Sequence, residues 1–243
     1  MNKRRLLGQH MLVDSYTLNK IIDCAEIGRQ DVVFEVGTGN GILTAELCKR
    51  ASKVVSCEVD SELAKKVLPT LGKYSNLVLI NSDGFKTNYD FNVFVSNLPY
   101  SRSRTAIEWL AERDFDRAVV MVQKEFAAKL LAKHGSNYRA ISVLAQYCFD
   151  IEQVMHVSKN SFYPKPKVDS VLLKITKKQK VSKGTIRSLK LLFSFKGKKV
   201  SSALRKFKID ANMKSDKRIE RLSPEEAVRL AEIIAQERLL QTI

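Results

Sequence analysis

This 243-residue sequence predicts an α/β fold, a doubly wound and mostly parallel sheet followed by a small, basic, all-α segment. Three observations carry that expectation. Short β-branched runs alternate with helical stretches through the first two-thirds of the chain, the pattern of strand–helix–strand units. A glycine cluster, Gly37-Thr-Gly-Asn-Gly41, closes the first of those runs and opens a helix. Beyond Lys177 the strands stop and the composition becomes Lys-rich while helical periodicity persists.

In chain order, Asp14 is the expected N-cap of a helix from Ser15 to Ala25, with Leu18, Ile21, Ile22 and Ala25 at helical spacing. Asp31–Val36 is the first strand. Leu43, Leu47 and Ala51 share a helix face, and Lys53–Cys57 is the next strand, closed by Glu58. A helix over Ser61–Leu71 and a strand over Leu77–Ile80 follow. The alternation continues with a strand at Phe91–Ser96, a helix at Arg104–Glu112, a strand at Ala118–Val122 and a helix at Glu125–Ala132. Tyr138–Tyr147 reads as a further helix. Phe149–Val157 and Val168–Thr176 read as an antiparallel edge pair joined by the loop around Phe162-Tyr-Pro-Lys-Pro-Lys167. The remaining helices are expected over Lys183–Phe195, Val200–Phe207 and Ser223–Gln236, the last capped by Ser223 with Pro224 at its first position. A large domain over residues 1–176 and a small helical one over 177–243 follow from that change of pattern.

The gross composition, 44% hydrophobic and 28% charged, is that of a soluble globular protein. No apolar run approaches the ~18 residues a membrane span needs. The basic N-terminus lacks the apolar region of a secretory signal. Four scattered cysteines (Cys24, Cys48, Cys57, Cys148) without a C-x-x-C pair suggest reduced core thiols, no metal site and a cytoplasmic location. The net charge of +16 is unevenly spread. Residues 174–221 hold 17 Lys/Arg against 3 Asp/Glu, a net of +14, whereas the other 195 residues hold 25 against 23. A near-neutral body with one basic segment suits a polyanion, nucleic acid before a membrane surface, and a solubilising face is the plainer alternative.

Glu35-Val-Gly37-Thr-Gly39-Asn-Gly41 departs from the dinucleotide G-x-G-x-x-G, because its third glycine comes one position early. Its spacing resembles the first motif of class I methyltransferases, whose loop cradles the amino-acid end of S-adenosylmethionine. Glu58 ends the second strand about 20 residues on, where an acidic side chain takes ribose hydroxyls. Asp83, in Ser82-Asp83-Gly84, follows the third strand, where a short acceptor can bind an exocyclic amine of adenine. Each carboxylate would also serve as a mere strand-end cap.

Asn97-Leu98-Pro99-Tyr100 follows the fourth strand, at the same sheet edge. The exocyclic nitrogen of adenine is a poor nucleophile because its lone pair is delocalised into the ring. The Asn97 amide oxygen and a backbone carbonyl beside Pro99 can accept its two hydrogens and draw the lone pair out of conjugation. Pro99 removes a competing donor, and Tyr100 offers a face for an extruded base. The plainer alternative is a rigid turn with a packed tyrosine.

With Gly8-Gln-His-Met-Leu12, Glu35-Val-Gly-Thr-Gly39, Glu58, Asp83, Asn97–Tyr100 and Phe162-Tyr-Pro-Lys-Pro-Lys-Val-Asp-Ser170 in this order, the chain resembles the KsgA-type ribosomal RNA adenine dimethyltransferases, relatives of the Erm resistance methyltransferases. The resemblance implies a class I S-adenosylmethionine-dependent fold in which Gln9, His10 and Leu12 close over the cofactor. Gly37 and Gly39 would meet its methionine end, Glu58 its ribose and Asp83 its adenine. Asn97, which would also border the cofactor, would with Leu98 and Pro99 bind the target amine, and Tyr100 and Phe162 would sandwich the target base. His10 stands where bacterial members usually have Asn, and the alternative role for it is a general base. The implied reaction adds two methyls to the N6 of each of two adjacent adenosines near the 3′ end of small-subunit rRNA. The implied partner is the assembling small subunit, with this chain acting as a monomer. An Erm-like activity on large-subunit rRNA and a non-catalytic RNA-binding assembly or transcription factor on the same scaffold are the competing readings.

Overall fold

The computed structural model describes residues 10–207, 209 and 216–240, so the roles expected for Gly8 and Gln9 lie outside the described residues. The chain forms two compact units. One gathers residues up to 106 with 114–127 and 151–177; the other gathers 107–113, 128–150 and the described residues from 178 onward.

The first unit is built on a seven-stranded sheet in the order β4-β3-β2-β5-β6-β9-β7. Strands β2 (Val32–Val36), β3 (Lys53–Cys57), β4 (Leu77–Ile80), β5 (Val93–Asn97) and β6 (Arg117–Gln123) run parallel. β9 (Ser170–Lys177) lies antiparallel to β6, with Met121 opposite Leu172. β7 (Phe149–Val157) completes the sheet at its edge. The two strands expected at the edge are neighbours there, and β9 is also joined to the parallel strands through β6, since its Ser-Val-Leu-Leu run is buried on both faces and needs a neighbour on each side. Strand β5 starts at Val93 rather than at Phe91. At Asn92 the side chain adds to the backbone bonding, accepting from Val32 N at 2.8 Å and donating to Asp31 at 2.7 Å.

Helices α1 (Ser15–Ala25), α2 (Ile42–Cys48) and α3 (Ser61–Leu71) begin where their caps dictate. Asp14 accepts from Thr17 N, and Asp60 accepts from Glu62 N and Leu63 N. The apolar faces of α1 and α2, through Ile21, Ile22, Leu43 and Leu47, join Val33, Val54, Val93, Val119 and Leu172 in one core. The strand order reverses between β2 and β5. Connections there leave in opposite directions and open a crevice at the carboxyl ends of the strands.

A two-stranded sheet is a feature that periodicity does not announce. β1 (Met11–Leu12) pairs antiparallel with β8 (Phe162–Tyr163), with Met11 opposite Tyr163 and Leu12 opposite Phe162. Val13 N, donating to Ser161 O at 2.9 Å, extends the pairing. This ties the segment from residue 10 to a loop 150 positions away, at the crevice.

The second unit is helical. α6 (Ala140–Cys148) starts two residues later than expected, because Arg139 N donates to the Ser142 hydroxyl and the chain turns there. Tyr138 becomes a core residue, its hydroxyl donating to Leu222 O at 2.9 Å and its ring edge-on to Phe193. α9 (Pro224–Leu240) packs on α6 and on α7 (Lys183–Phe193). Ser223 and Glu226 form a reciprocal cap at its start, each side chain accepting from the other's backbone N–H. α8 (Val200–Lys206) is held by Val200 N donating to Lys217 O and by Ile219 N donating to Lys198 O. Helices α4 (Ser103–Ala111) and α5 (Lys124–Leu131) complete the described helices.

Candidate active site

A cavity of about 260 Å³ opens at the strand-order reversal. Its walls are the loops after β2, β3, β4 and β5 together with the β1–β8 pair. Gly37 and Gly39 form its floor with φ of +91° and +59°, values that L side chains rarely adopt. A Cβ on Gly39 would also stand 3.0 Å from the sulfur of Met11. The three glycine amides are already committed. Gly37 N donates to Cys57 O at 2.8 Å, Gly39 N to Glu58 at 3.0 Å and Gly41 N to Thr38 O at 2.9 Å. The glycines thus fix the shape of the loop and anchor Glu58, rather than aiming those amides at a ligand.

Glu58 is only 2% exposed, yet it lines the cavity. Its Oε2 accepts from Gly39 N and its Oε1 from Asp60 N, both at 3.0 Å. Each carboxylate oxygen has two acceptor positions, so one remains on each. Two fixed acceptors side by side match a vicinal diol. Val59, the next residue, is apolar but 60% exposed and faces the same cavity, where it offers a flat apolar wall to a planar base. Sequence reasoning did not single it out, although its place directly after the acidic residue was visible.

Asp83 sits on the opposite rim. Its Oδ1 accepts from Phe85 N at 3.1 Å, and Arg102 Nη2 donates to both oxygens at 2.9 and 2.8 Å. The Arg102 guanidinium also lies 5.1 Å from the centre of the Phe85 ring. Arg102 is a second residue that the sequence left unnoticed, because a charged side chain in a turn reads as solvent-exposed.

Asn97 ends β5 opposite Met121. Its Nδ2 donates one N–H to the His10 backbone carbonyl at 3.2 Å, which orients the amide and leaves Oδ1 as the free acceptor. Leu98 and Pro99 continue the wall, Pro99 with φ −55° and ψ 130°, and a short 3-10 turn over Tyr100–Arg102 follows. The Tyr100 hydroxyl is paired with Ser170 Oγ at 2.7 Å, and burial holds its pKa above the usual phenol value despite that bond. Its ring is 5.5 Å from that of His10. His10 Nδ1 contacts Pro164 O at 2.7 Å, which makes Nδ1 the donor and fixes the tautomer. Phe162, 4% exposed, closes the far wall. The last residues of the 162–170 loop support this arrangement: Asp169 accepts from Lys159 N at 2.9 Å, and Ser170 anchors Tyr100.

Of the residues singled out from sequence, those on the Gly loop, Glu58, Asp83, Asn97–Tyr100, His10 and Phe162 meet at this one cavity. Leu12 does not reach it. It is buried in the core opposite Phe162, and Met11 takes the lining position. Beneath the floor, Glu35 is fully buried. Its Oε2 accepts from Thr44 and Ser56 hydroxyls at 2.6 Å, and its Oε1 has no partner. Burial raises its pKa from 4.5 to about 7. Ser56 is in turn bonded to Thr38 at 2.6 Å, so a buried polar chain runs from Glu35 to the Gly loop. Among the described residues, no cluster of three or more His, Cys, Asp or Glu side chains is arranged to hold a metal ion, and no helix is long and apolar enough to cross a membrane.

Residues 1–236 match the family model described as ribosomal RNA adenine dimethylase. A probable ribosomal RNA small subunit methyltransferase A from Pyrococcus abyssi is 38% identical over 250 residues, covering 96% of this chain and 93% of the relative. Among solved structures, a dimethyladenosine transferase from Plasmodium falciparum has a TM-score of 0.77 at 29% identity, covering 91% of this chain and 96% of that one. The 23S rRNA methyltransferase ErmE has a TM-score of 0.66 at 26% identity, covering 92% and 99%.

Proposed function

The chain belongs to the ribosomal RNA adenine dimethylase family, and from that premise we propose that it dimethylates the N6 amines of two adjacent adenosines in a hairpin loop near the 3′ end of small-subunit rRNA, using S-adenosylmethionine. The assembling small subunit is the substrate, the basic segment within 177–243 gives the helical unit its RNA-binding surface, and the protein acts as a cytoplasmic monomer. The observation that carries this reading is Asn97. Its amide is locked by the His10 carbonyl with Oδ1 free, in the same cavity as a carboxylate that keeps two acceptor positions for a diol.

The residues fit the cofactor. Glu58 would hold the ribose hydroxyls, Val59 would cover one face of the purine, and Asp83 would meet its exocyclic amine. Met11 and His10 close over the Gly37–Gly39 floor. When bound, S-adenosylmethionine supplies an electrophilic methyl on a positively charged sulfur. The protein's own work is to prepare the nucleophile. Asn97 Oδ1 and the Leu98 carbonyl accept the two N6 hydrogens, localising the nitrogen lone pair and aiming it into the cavity. Tyr100 and Phe162 hold the extruded base, and their apolar surroundings exclude water, so positioning and desolvation supply the acceleration.

Transfer of labelled methyl to small subunits lacking the modification, followed by mapping of the label, tests the proposal. Label in two adjacent small-subunit adenosines is expected. Label confined to large-subunit rRNA would assign the Erm-like activity instead. A protein that binds RNA but no S-adenosylmethionine by calorimetry would be the assembly factor.

A further inference from the structure

The ion pair between Asp83 and Arg102 joins two loops that approach the cavity from different strands. Asp83 follows β4 and caps the turn at Gly84, while Arg102 closes the 3-10 turn that begins at Tyr100. Counting acceptor positions gives the pair a meaning beyond a surface salt bridge. Asp83 Oδ1 takes two donors, Phe85 N at 3.1 Å and Arg102 Nη2 at 2.9 Å, and is filled. Oδ2 takes Arg102 Nη2 at 2.8 Å and keeps one position. The guanidinium is fixed from its other side by the Phe85 ring at 5.1 Å and through its own backbone, with Arg102 N donating to Pro99 O at 2.8 Å. Both side chains line the cavity.

We propose that Arg102 is a positioning residue that sets the purine specificity of the cofactor site, by pinning the Asp83 carboxylate so that a single acceptor position on Oδ2 faces the 6-position of the ring. A carboxylate held this way accepts one N–H and repels a carbonyl oxygen, so it distinguishes a 6-amino from a 6-oxo purine. Without Arg102, Asp83 keeps only its bond from Phe85 N. It is then free to rotate about the bond from Cα to Cβ and to take water in place of the ligand. The same side chain couples the turn that follows the Asn97–Tyr100 segment to the adenine end of the site. The inference rests on the reading that this cavity takes S-adenosylmethionine.

The test is calorimetric binding of S-adenosylhomocysteine and of S-inosylhomocysteine, its 6-oxo analogue, to the full-length wild type, Arg102→Met and Arg102→Lys. Methionine keeps an apolar stem against Phe85 but has no donor. The wild type is expected to prefer the amino ligand by about 10- to 100-fold, the range of one hydrogen bond to a charged group. Arg102→Met should lose that preference to within a few-fold, through weaker binding of the amino ligand and with the 6-oxo ligand bound no more weakly than by wild type. The 6-oxo ligand serves as the internal control for folding. Arg102→Lys, whose ammonium can sit between the two oxygens as Nη2 does, should recover part of the ratio. An unchanged ratio in Arg102→Met overturns the inference. So does equal weakening of both ligands, tighter binding of the amino ligand, or a lysine variant no better than methionine. A wild type that binds neither ligand would instead remove the cofactor reading itself.

Discussion

Asn97 and Glu35 illustrate two ways in which a single side chain can be constrained near this cavity. Asn97 is held by one hydrogen bond from its nitrogen, and its oxygen is the group that works. Asn97→Ala should leave S-adenosylhomocysteine affinity within a few-fold of wild type while lowering kcat by about 100- to 1000-fold, the usual effect of deleting one preorganised polar group at a reacting centre. Equal losses in cofactor affinity and kcat would place Asn97 on the cofactor instead of the target amine. Glu35 is constrained by burial. Its carboxyl is raised from 4.5 to about 7, so between those values the folded chain holds a proton that the unfolded chain has released. Folding stability from this group is therefore fully present below about pH 4.5 and is lost as pH rises through about 7. Ionised Glu35 then costs on the order of 3 kcal/mol. Glu35→Gln removes the titration. Its urea midpoint, relative to wild type, should improve from pH 5 to pH 8, and a difference independent of pH would show that the buried carboxyl does not titrate there.

At the scale of elements, the cavity depends on how closely the turn after β4 approaches β2 and β3. A Cβ at Gly84 would stand 2.7 Å from Val36 Cγ2 and 3.0 Å from Cys57 Cβ, both fixed in strands. Gly84→Ala must therefore push the turn outward, and Asp83 with it. A loss of about 1–3 kcal/mol in unfolding free energy is expected, together with weaker S-adenosylhomocysteine binding. Unchanged stability and affinity in the variant would mean that the turn shifts freely. The same scale shows where sequence pattern succeeds and where it fails. The parallel strands and their helices were legible because β-branched runs and capped helical faces are local signals, as at Asp14 and Ser223. So was the gathering of Glu58, Asp83 and Asn97, since residues at the carboxyl ends of neighbouring parallel strands converge. The insertion of β9 between β6 and β7 is a long-range pairing with no local mark. Two-residue strands such as β1 and β8 are too short to show a period, so the place of Met11 in the cavity stayed hidden, as did that of Leu12 in the core. Arg102 and Val59 were missed because a charge in a turn and a valine after a strand are ordinary until their neighbours are known.

At the scale of the whole molecule, the uneven charge is the property to test. The segment from 174 to 221 carries a net +14, while the rest of the chain is close to neutral. Some of its cations are paired locally, Lys190 with Glu108, Lys199 with Asp216 and Lys217 with Glu226. Others, including Arg187, Lys198 and Arg205, are exposed and have no acidic partner among the described residues. An unpaired cation that meets an RNA phosphate releases a condensed counterion, and each such contact adds about 0.7–0.9 to the steepness with which log K falls against log salt concentration. Arg187→Gln, Lys198→Gln and Arg205→Gln combined should therefore weaken binding to a small-subunit rRNA fragment most at low salt. The salt slope should become shallower by about 1–3 while S-adenosylhomocysteine affinity stays unchanged. Because the three side chains are exposed and lie outside the unit that carries the cavity, a change in cofactor affinity would point to misfolding and can be read separately. A slope identical to wild type would mean that the basic segment is a solubilising surface, and that the RNA is held by the loops around the cavity alone.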